Sequence, residues 1–372
     1  VTVLLLVAGL TLLVAGGELL VRGAGSLARS FGISPLVVGL TVVSFATSAP
    51  ELAVTVQASL AGSPGLAVGN VIGSNIANIL LVLGVAGLIL PLSVRMPVVR
   101  RDVPVLIVLS VLMLVLSLSG VLTRLDGLVL FALIAAYVTW TVVRSRREEL
   151  ALARSRPRED EPRVLPLPVS LLLVAGGVGL LVLGAQWLVD SATQIAQALG
   201  MSDMVIGLTI VAVGTSLPEL ATSVVAAVRG NVEMAVGNAV GSCTFNIGVV
   251  MGLTAIIAPD GVPVARGALV FDLPIMIAVA LALLPIAFTG FTIARWESAL
   301  FVAYYAAYVV YLLMDSAGHD ALEQYGSVML LFVIPLTGLT LLLLAAFELG
   351  VHRGRRQALT GDVDPPAAGG PR

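Results

Sequence analysis

Two short strings stand out because they interrupt otherwise apolar runs: Thr47-Ser48-Ala49-Pro50-Glu51 and Thr215-Ser216-Leu217-Pro218-Glu219. Each brings two hydroxyls and a carboxylate together with a proline. Proline has no N–H and clashes with the preceding turn, so each break is expected to free backbone carbonyls one turn upstream, near Ser44 and Ala212. Further along lie Gly69-Asn70-x-x-Gly73-Ser74-x-x-x-Asn78 and Gly237-Asn238-x-x-Gly241-Ser242-x-x-x-Asn246. Ser74 and Asn78, like Ser242 and Asn246, are four apart and share one helical face. Carboxylates, hydroxyls, amide oxygens and carbonyls are all hard oxygen donors. Such a set suits sodium, calcium or magnesium, and flexible coordination favours calcium over magnesium, which gives up its waters reluctantly.

The elements that carry these residues must be membrane helices. Of 372 residues, 58% are hydrophobic and 11% charged, and the mean hydropathy is +1.07, a balance that places the chain in lipid. All 20 cationic residues are Arg against 22 acids, which argues against a nucleic-acid partner. A single Cys, Cys243, and two distant His, His319 and His352, offer no disulfide and no soft-metal cluster. Eleven stretches are long enough to cross the bilayer: 2–21, 33–60, 65–90, 103–119, 126–143, 167–189, 203–228, 233–258, 269–288, 297–315 and 327–349. The expected fold is an all-α polytopic membrane protein. The first stretch lacks a basic n-region and is expected to be a retained helix. With the N-terminus outside and the C-terminus cytoplasmic, only Arg124 and Arg266 fall on the outer side, as the positive-inside rule favours.

The chain repeats itself. Residues 39–84 align without a gap to 207–252, a constant shift of 168 with 23 of 46 positions identical. Weaker echoes include Gly16 with Gly184, Asp102-x-Pro104 with Asp272-x-Pro274, and AAYV at 135–138 with AAYV at 306–309. Each copy holds five helices. Five is odd, so the second copy must enter the membrane from the opposite face, giving two inverted five-helix repeats, ten core helices in all, plus one extra C-terminal helix. The expected units are 1–143, a cytoplasmic linker 144–166, 167–315, an outer loop with the extra helix at 316–349, and a disordered tail 350–372.

A carboxylate at mid-membrane costs about 2.5–3.5 kcal/mol on insertion scales, so Glu51 and Glu219 need compensation. No Arg lies within the four repeat-core spans, and a bound cation is the simplest source of positive charge. A protonated or snorkelling acid is the competing reading, disfavoured because both acids recur beside Thr-Ser-x-Pro. Asn70 and Asn238 read better as hydrogen-bonding groups than as ligands, and the glycines as packing positions. Two acids can be neutralised by one divalent or two monovalent cations at overlapping places, which makes the loads exclusive and points to exchange.

These segments resemble the alpha-repeats of the calcium/cation antiporter superfamily, most closely the prokaryotic sodium/calcium exchangers. The resemblance implies ten core helices, four central cation sites and electrogenic exchange of Na+ for Ca2+. It also implies ligands at Glu51, Glu219, Thr47, Ser48, Thr215, Ser216, Ser74 and Ser242, with carbonyls from Ser44 and Ala212; Asn78 and Asn246 complete the candidate set. Alternating access by sliding of 2–21 with 167–189 over a fixed core is a further implication. Family members often carry Asp where Asn246 stands, so the stoichiometry and proton coupling stay open. The expected protein is no enzyme and has no cofactor. Its partners are inorganic cations and membrane lipid, with no obligate protein partner, and its place is the plasma (inner) membrane. A cation/proton antiporter and a non-transporting scaffold with structural calcium are the alternatives.

Overall fold

A computed structural model of the chain describes residues 2–155, 165–200, 212–288, 290–318 and 322–340. The first half contains α1 (Thr2–Phe31), α2 (Pro35–Val38), α3 (Ser44–Thr47), α4 (Ala49–Leu60), α5 (Pro64–Ala77), α6 (Gly84–Ile89), α7 (Val103–Ser117) and α8 (Arg124–Ser155). The second contains α9 (Leu167–Ala198), α10 (Ala212–Gly214), α11 (Leu217–Val228), α12 (Val232–Phe245), α13 (Gly252–Ile257), α14 (Leu273–Phe288) and α15 (Arg295–Ser316), followed by α16 (Leu322–Val328). Short π-helical turns join several of them, notably Gly39–Val43, Asn78–Leu83, Val98–Asp102, Asn246–Met251 and Ala268–Asp272.

The fold is almost entirely helical. Among the described residues eight helices are long and apolar enough to span a membrane, or nine if Pro35–Thr47 and Ala49–Leu60, bent by 43° at Ser48, count as one broken span. Two expected spans do not reach that threshold. Val98–Asp102 and α7 follow one another as helix, but Arg100, Arg101 and Asp102 crowd the first turn. Residues 203–211 of the seventh expected span, 341–349 of the eleventh, and the tail lie outside the described residues.

Several helices outrun their apolar cores. The expected linker starts at 144, yet α8 continues to Ser155, because RSRREELALARS is rich in good helix formers and Arg144 bonds Glu148 one turn on at 2.7 Å. Purely helical expectations also missed four two-residue strands, β1 (Leu92–Ser93), β2 (Val121–Leu122), β3 (Val262–Pro263) and β4 (Thr292–Ile293). β1 pairs antiparallel with β4, and β2 with β3. Loops cannot leave backbone groups bare so close to lipid, and these pairs satisfy them. The pairing also fixes orientation. α7 lies between β1 and β2, α14 between β3 and β4, so the crossed pairing makes α7 and α14, equivalents under the repeat, run antiparallel.

α1 and α9 pack along their whole length. Gly9 faces Gly184, Gly16 faces Gly177 and Gly23 faces Ser170, so the two helices are antiparallel with small residues at every second turn of contact. At Gly16 an added Cβ would sit 2.8 Å from the Gly177 carbonyl oxygen and the Leu181 nitrogen, which no backbone tolerates. Polar contacts gather the arginine-bearing ends at one end of the bundle: Arg229 pairs with Glu18 at 2.7 Å, Arg95 with Glu233, Arg295 donates to the Ile89 carbonyl, and the Ser34 N–H donates to Ser145 Oγ. Arg124, by contrast, donates to the Ala258 carbonyl at the other end, beside β2 and β3.

The zipper makes a sharp expectation. Gly16→Ala is expected to destabilise the purified protein by about 1–3 kcal/mol, the usual penalty of overpacking. Gly25→Ala, whose Cβ would meet only Arg29 Nη1 at 3.8 Å among the described residues, is expected to leave the melting temperature unchanged. Detergent-phase thermal unfolding of both variants checks this.

Candidate functional site

Both halves break in the same way. Ser48 adopts φ −81°, ψ 3° and Ser216 φ −89°, ψ 4°, which ends one helix and starts the next. Pro50 and Pro218 fall in the first turn of α4 and α11, where a missing N–H costs no hydrogen bond. Glu51 and Glu219 follow in the same turn, at the positive end of the helix dipole.

The carbonyl accounting corrects one expectation. The Ser44 carbonyl is not left bare: it accepts from the Ser48 N–H at 2.9 Å and from Thr47 Oγ1 at 3.4 Å. In the second half the Ser216 N–H goes to Val213 at 3.1 Å and not to Ala212. The two breaks therefore differ in which carbonyls they engage.

Glu51 and Glu219 are both fully buried, at 0% exposure, and lie close enough for their charges to act on one another. Thr47 and Ser48 of the first half lie beside the Glu219 carboxylate. Each acid-bearing helix packs against the asparagine-bearing π turn of the opposite half, α4 against Asn246–Met251 and α11 against Asn78–Leu83. Ser44, Ser74, Ser242, Asn78 and Asn246 are likewise buried. Thr215 is half-buried at its break.

These groups are conspicuously unsatisfied. Among the described residues, neither oxygen of Glu51 or Glu219, nor Ser48 Oγ, Thr215 Oγ1, Ser216 Oγ, Ser242 Oγ, nor either polar atom of the Asn78 and Asn246 amides has a hydrogen-bond partner of good geometry. Neither carboxylate has an ion-pair partner among the described residues, and 201–211 contains no Arg to provide one. Buried polar groups are normally paired, so a cluster this large is shaped for something that binds oxygen. Among the described residues no group of three His, Cys, Asp or Glu lies together, so a cation held here would draw on hydroxyls and amides as well as the two acids. That donor set fits a hard cation carried as cargo.

Around this unsatisfied centre sits a satisfied frame. Asn238 Nδ2 donates to Ser223 Oγ at 2.9 Å and to the Glu219 carbonyl at 3.3 Å, its Oδ1 accepts from Thr47 Oγ1 at 3.4 Å, and its backbone carbonyl accepts from Ser44 Oγ at 3.0 Å. Asn70 repeats the first two contacts, to Thr55 Oγ1 at 2.9 Å and to the Glu51 carbonyl at 3.4 Å. The asparagines thus brace the acid-bearing helices, as the hydrogen-bonding reading expects. Thr55 and Ser223 escaped the sequence reading, although both lie one turn beyond their glutamate and at the same repeat shift. Gly237 and Gly241 give close approach, an added Cβ falling 2.5 Å from the Leu36 carbonyl and 2.2 Å from Ser44 Oγ. Gly69 and Gly73 meet nothing within 4 Å among the described residues. Cys243 is core: its thiol donates to the carbonyl of its repeat equivalent, Asn75, at 3.6 Å.

Comparison with known proteins adds an independent line. The family described as "Sodium/calcium exchanger protein" matches residues 1–143 and 169–314. The chain is 38% identical to the inner membrane protein YrbG of Escherichia coli K12 over 283 residues, 75% of this chain and 87% of that one. It is 34% identical to the sodium/calcium exchanger MaX1 of Methanosarcina acetivorans over 315 residues, 76% and 89%. It is also 38% identical to the putative antiporter CaxA of Alkalimonas amylolytica over 261 residues, 68% and 80%. Among solved structures, the sodium-calcium exchanger NCX_Mj soaked with zero Na+ and Ca2+ superposes with a TM-score of 0.71 at 33% identity, covering 84% of this chain and 98% of that one.

Because Asn238 holds parts of both halves while Asn70 holds one, the two should differ when removed. Asn238→Ala leaves Ser223 Oγ and the Glu219 carbonyl without their donor, and is expected to cost about 1–3 kcal/mol of unfolding free energy. Asn70→Ala is expected to cost less, since Asn70 is only half-buried. Thermal melts of the two variants side by side measure the difference.

Proposed function

The chain belongs to the sodium/calcium exchanger family, a family of multi-pass membrane transporters rather than enzymes, and from that membership we propose that it exchanges sodium for calcium by alternating access. The observation that carries this reading is the pair of buried, neighbouring carboxylates without a counterion among the described residues. One Ca2+ or two Na+ cancels their charge, and neither load leaves room for the other. Ligands are Glu51, Glu219, Thr47, Ser48, Thr215, Ser216, Ser74, Ser242, Asn78 and Asn246, with carbonyls at the two breaks.

The proposed architecture is ten core helices as two inverted five-helix repeats, with one further C-terminal helix. Support comes from the 168-residue repeat and from the antiparallel run of α7 and α14. The end that collects Arg22, Arg95, Arg229 and Arg295 is taken as cytoplasmic, in the inner membrane, following the positive-inside rule. The moving body is the α1–α9 pair. Its support is one-sided contact with the core: Gly17 of α1 lies flush on α11 at Ala221 and Val225, an added Cβ falling 3.2–3.3 Å from them. The equivalent face of α4 instead borders a groove of about 630 Å³ lined by Ala49, Leu52, Ala53, Val56 and Gln57. Among the described residues one acid-bearing helix is covered by the α1–α9 pair and the equivalent face of the other is not, an asymmetry that one end state of such a cycle would have.

The alternative is a cation/proton antiporter in which the two glutamates carry protons, since a buried carboxylate without a counterion among the described residues can be neutralised by a proton as well as by a metal ion. Isotopic calcium uptake into proteoliposomes separates the two. Uptake is expected to require an outward sodium gradient; equal uptake driven by a pH gradient without sodium overturns the sodium reading in favour of the proton one. Glu51→Gln and Glu219→Gln are each expected to abolish calcium flux, and wild-type flux in either contradicts the site. Asn246→Asp adds a third carboxylate to the cluster and is expected to leave flux intact while making it more sensitive to acid, because the added group binds protons in competition with cations.

A further inference from the structure

The AAYV motif occurs twice, and the two copies are covered differently. In the second half it lies on α15, where the extra helix overlies it: Tyr325 Oη donates to the Ala307 carbonyl at 2.9 Å, Gly326 abuts Tyr311, and Tyr304 Oη donates to Thr337 Oγ1 at 2.7 Å. In the first half it lies on α8, where Ala135 and Ala136 are exposed and no helix among the described residues covers them. They floor a groove of about 820 Å³ that runs past Thr139, Trp140 and Val143 to Arg144, Arg147 and Glu148. Thr139 turns its hydroxyl back to the Ala135 carbonyl at 2.8 Å, which leaves the floor apolar.

The rim is charged and ordered. Trp140 is bracketed by two guanidiniums, Arg101 at 5.7 Å and Arg144 at 5.5 Å from its ring centroid. Arg101 is set there by its neighbour: buried Asp102 accepts a 2.6 Å hydrogen bond from Tyr137 Oη, which fastens the start of α7 to α8. Among the described residues Glu148 is the one acid lining the groove, and it is bonded to Arg144. Arg101 and Arg147 have no ion-pair partner among the described residues. Three guanidiniums against one carboxylate leave a positive rim above an apolar floor, at the arginine-rich end of the bundle.

We propose that this groove is a binding site for one anionic phospholipid, an acyl chain lying on Ala135, Ala136 and Thr139 and the phosphodiester held between Arg101, Arg144 and Arg147 with Trp140 at the interface. Guanidinium forks match phosphate oxygens, and basic pockets between helices at this depth recognise anionic headgroups. A zwitterionic choline headgroup brings a cation against the same rim and is disfavoured. A second copy of the chain related by a twofold axis would set this rim against its own image, like charge on like. The lipid does for the first half what the extra helix does for the second.

Trp140 is its own reporter once Trp187 and Trp296 are replaced by Phe. In proteoliposomes, phosphatidylglycerol with brominated acyl chains is expected to quench Trp140 more strongly than brominated phosphatidylcholine at equal mole fraction. Arg101→Gln/Arg144→Gln/Arg147→Gln is expected to erase the preference, at about fivefold in apparent affinity for each guanidinium. Arg147→Gln alone, at an exposed position with no stacking contact, covers a triple variant that fails to insert and is expected to show one such step. Equal quenching by both lipids, or a preference unchanged by Arg147→Gln, overturns the site. So does relief of quenching by millimolar inorganic phosphate, which would make the ligand a free anion. Protection of Trp140 from both lipids, with a particle of twice the monomer mass, would place a second copy there and also overturn it.

Discussion

Burial of two neighbouring carboxylates is the constraint around which the candidate site is arranged. Glu51 and Glu219 share one water-poor space, face no protein cation among the described residues, and have no hydrogen-bond donor of good geometry. A fold stabilised only by its own contacts would have removed such a pair or given it an arginine, since an unpaired buried charge is among the most destabilising features a core can carry. Its retention makes sense when the missing charge arrives from solution and leaves again. Satisfied hydrogen bonds from Asn70 and Asn238 hold the backbone of the acid-bearing helices, so the side chains stay free for the cargo.

Close packing gives this centre its stiffness. The π turns at Asn78–Leu83 and Asn246–Met251 begin on a candidate ligand and pack against the acid-bearing helix of the other half. The backbones of α2, α3 and α12 touch through Gly237 and Gly241, while α1 and α9 touch through their own small residues. The first contact belongs to the core around the acids, and the second joins two helices to each other more closely than to that core. That contrast is what the proposed movement of the α1–α9 pair over the core would use.

Much of this was legible in the sequence because the repeat labels its own functional residues. Thr47, Ser48 and Glu51 recur at a shift of 168, and hydroxyl-plus-acid strings have no business in two apolar runs unless they do chemistry. What was not legible depends on contacts between distant segments. The crossed strand pairs join Leu92 to Ile293 and Val121 to Pro263, and nothing in strands of two residues announces partners so distant in sequence. The continuation of α8 to Ser155 was masked by charge density, which marks solvent exposure as readily as loop. The Ser44 carbonyl was assigned by counting one turn, whereas the geometry of the break gives it the Ser48 N–H as a donor. The role of Asn238 spans both halves, and only the folded chain brings Thr47 to it.

Equilibrium calcium binding to the detergent-purified protein, titrated with sodium, tests the central claim most directly. If mobile cations supply the charge that Glu51 and Glu219 lack, sodium displaces calcium completely, with more than one sodium per calcium, and binding disappears when both acids are changed to Gln. Calcium and sodium held together at saturation, or calcium retained at unchanged affinity by the doubly substituted protein, would contradict it.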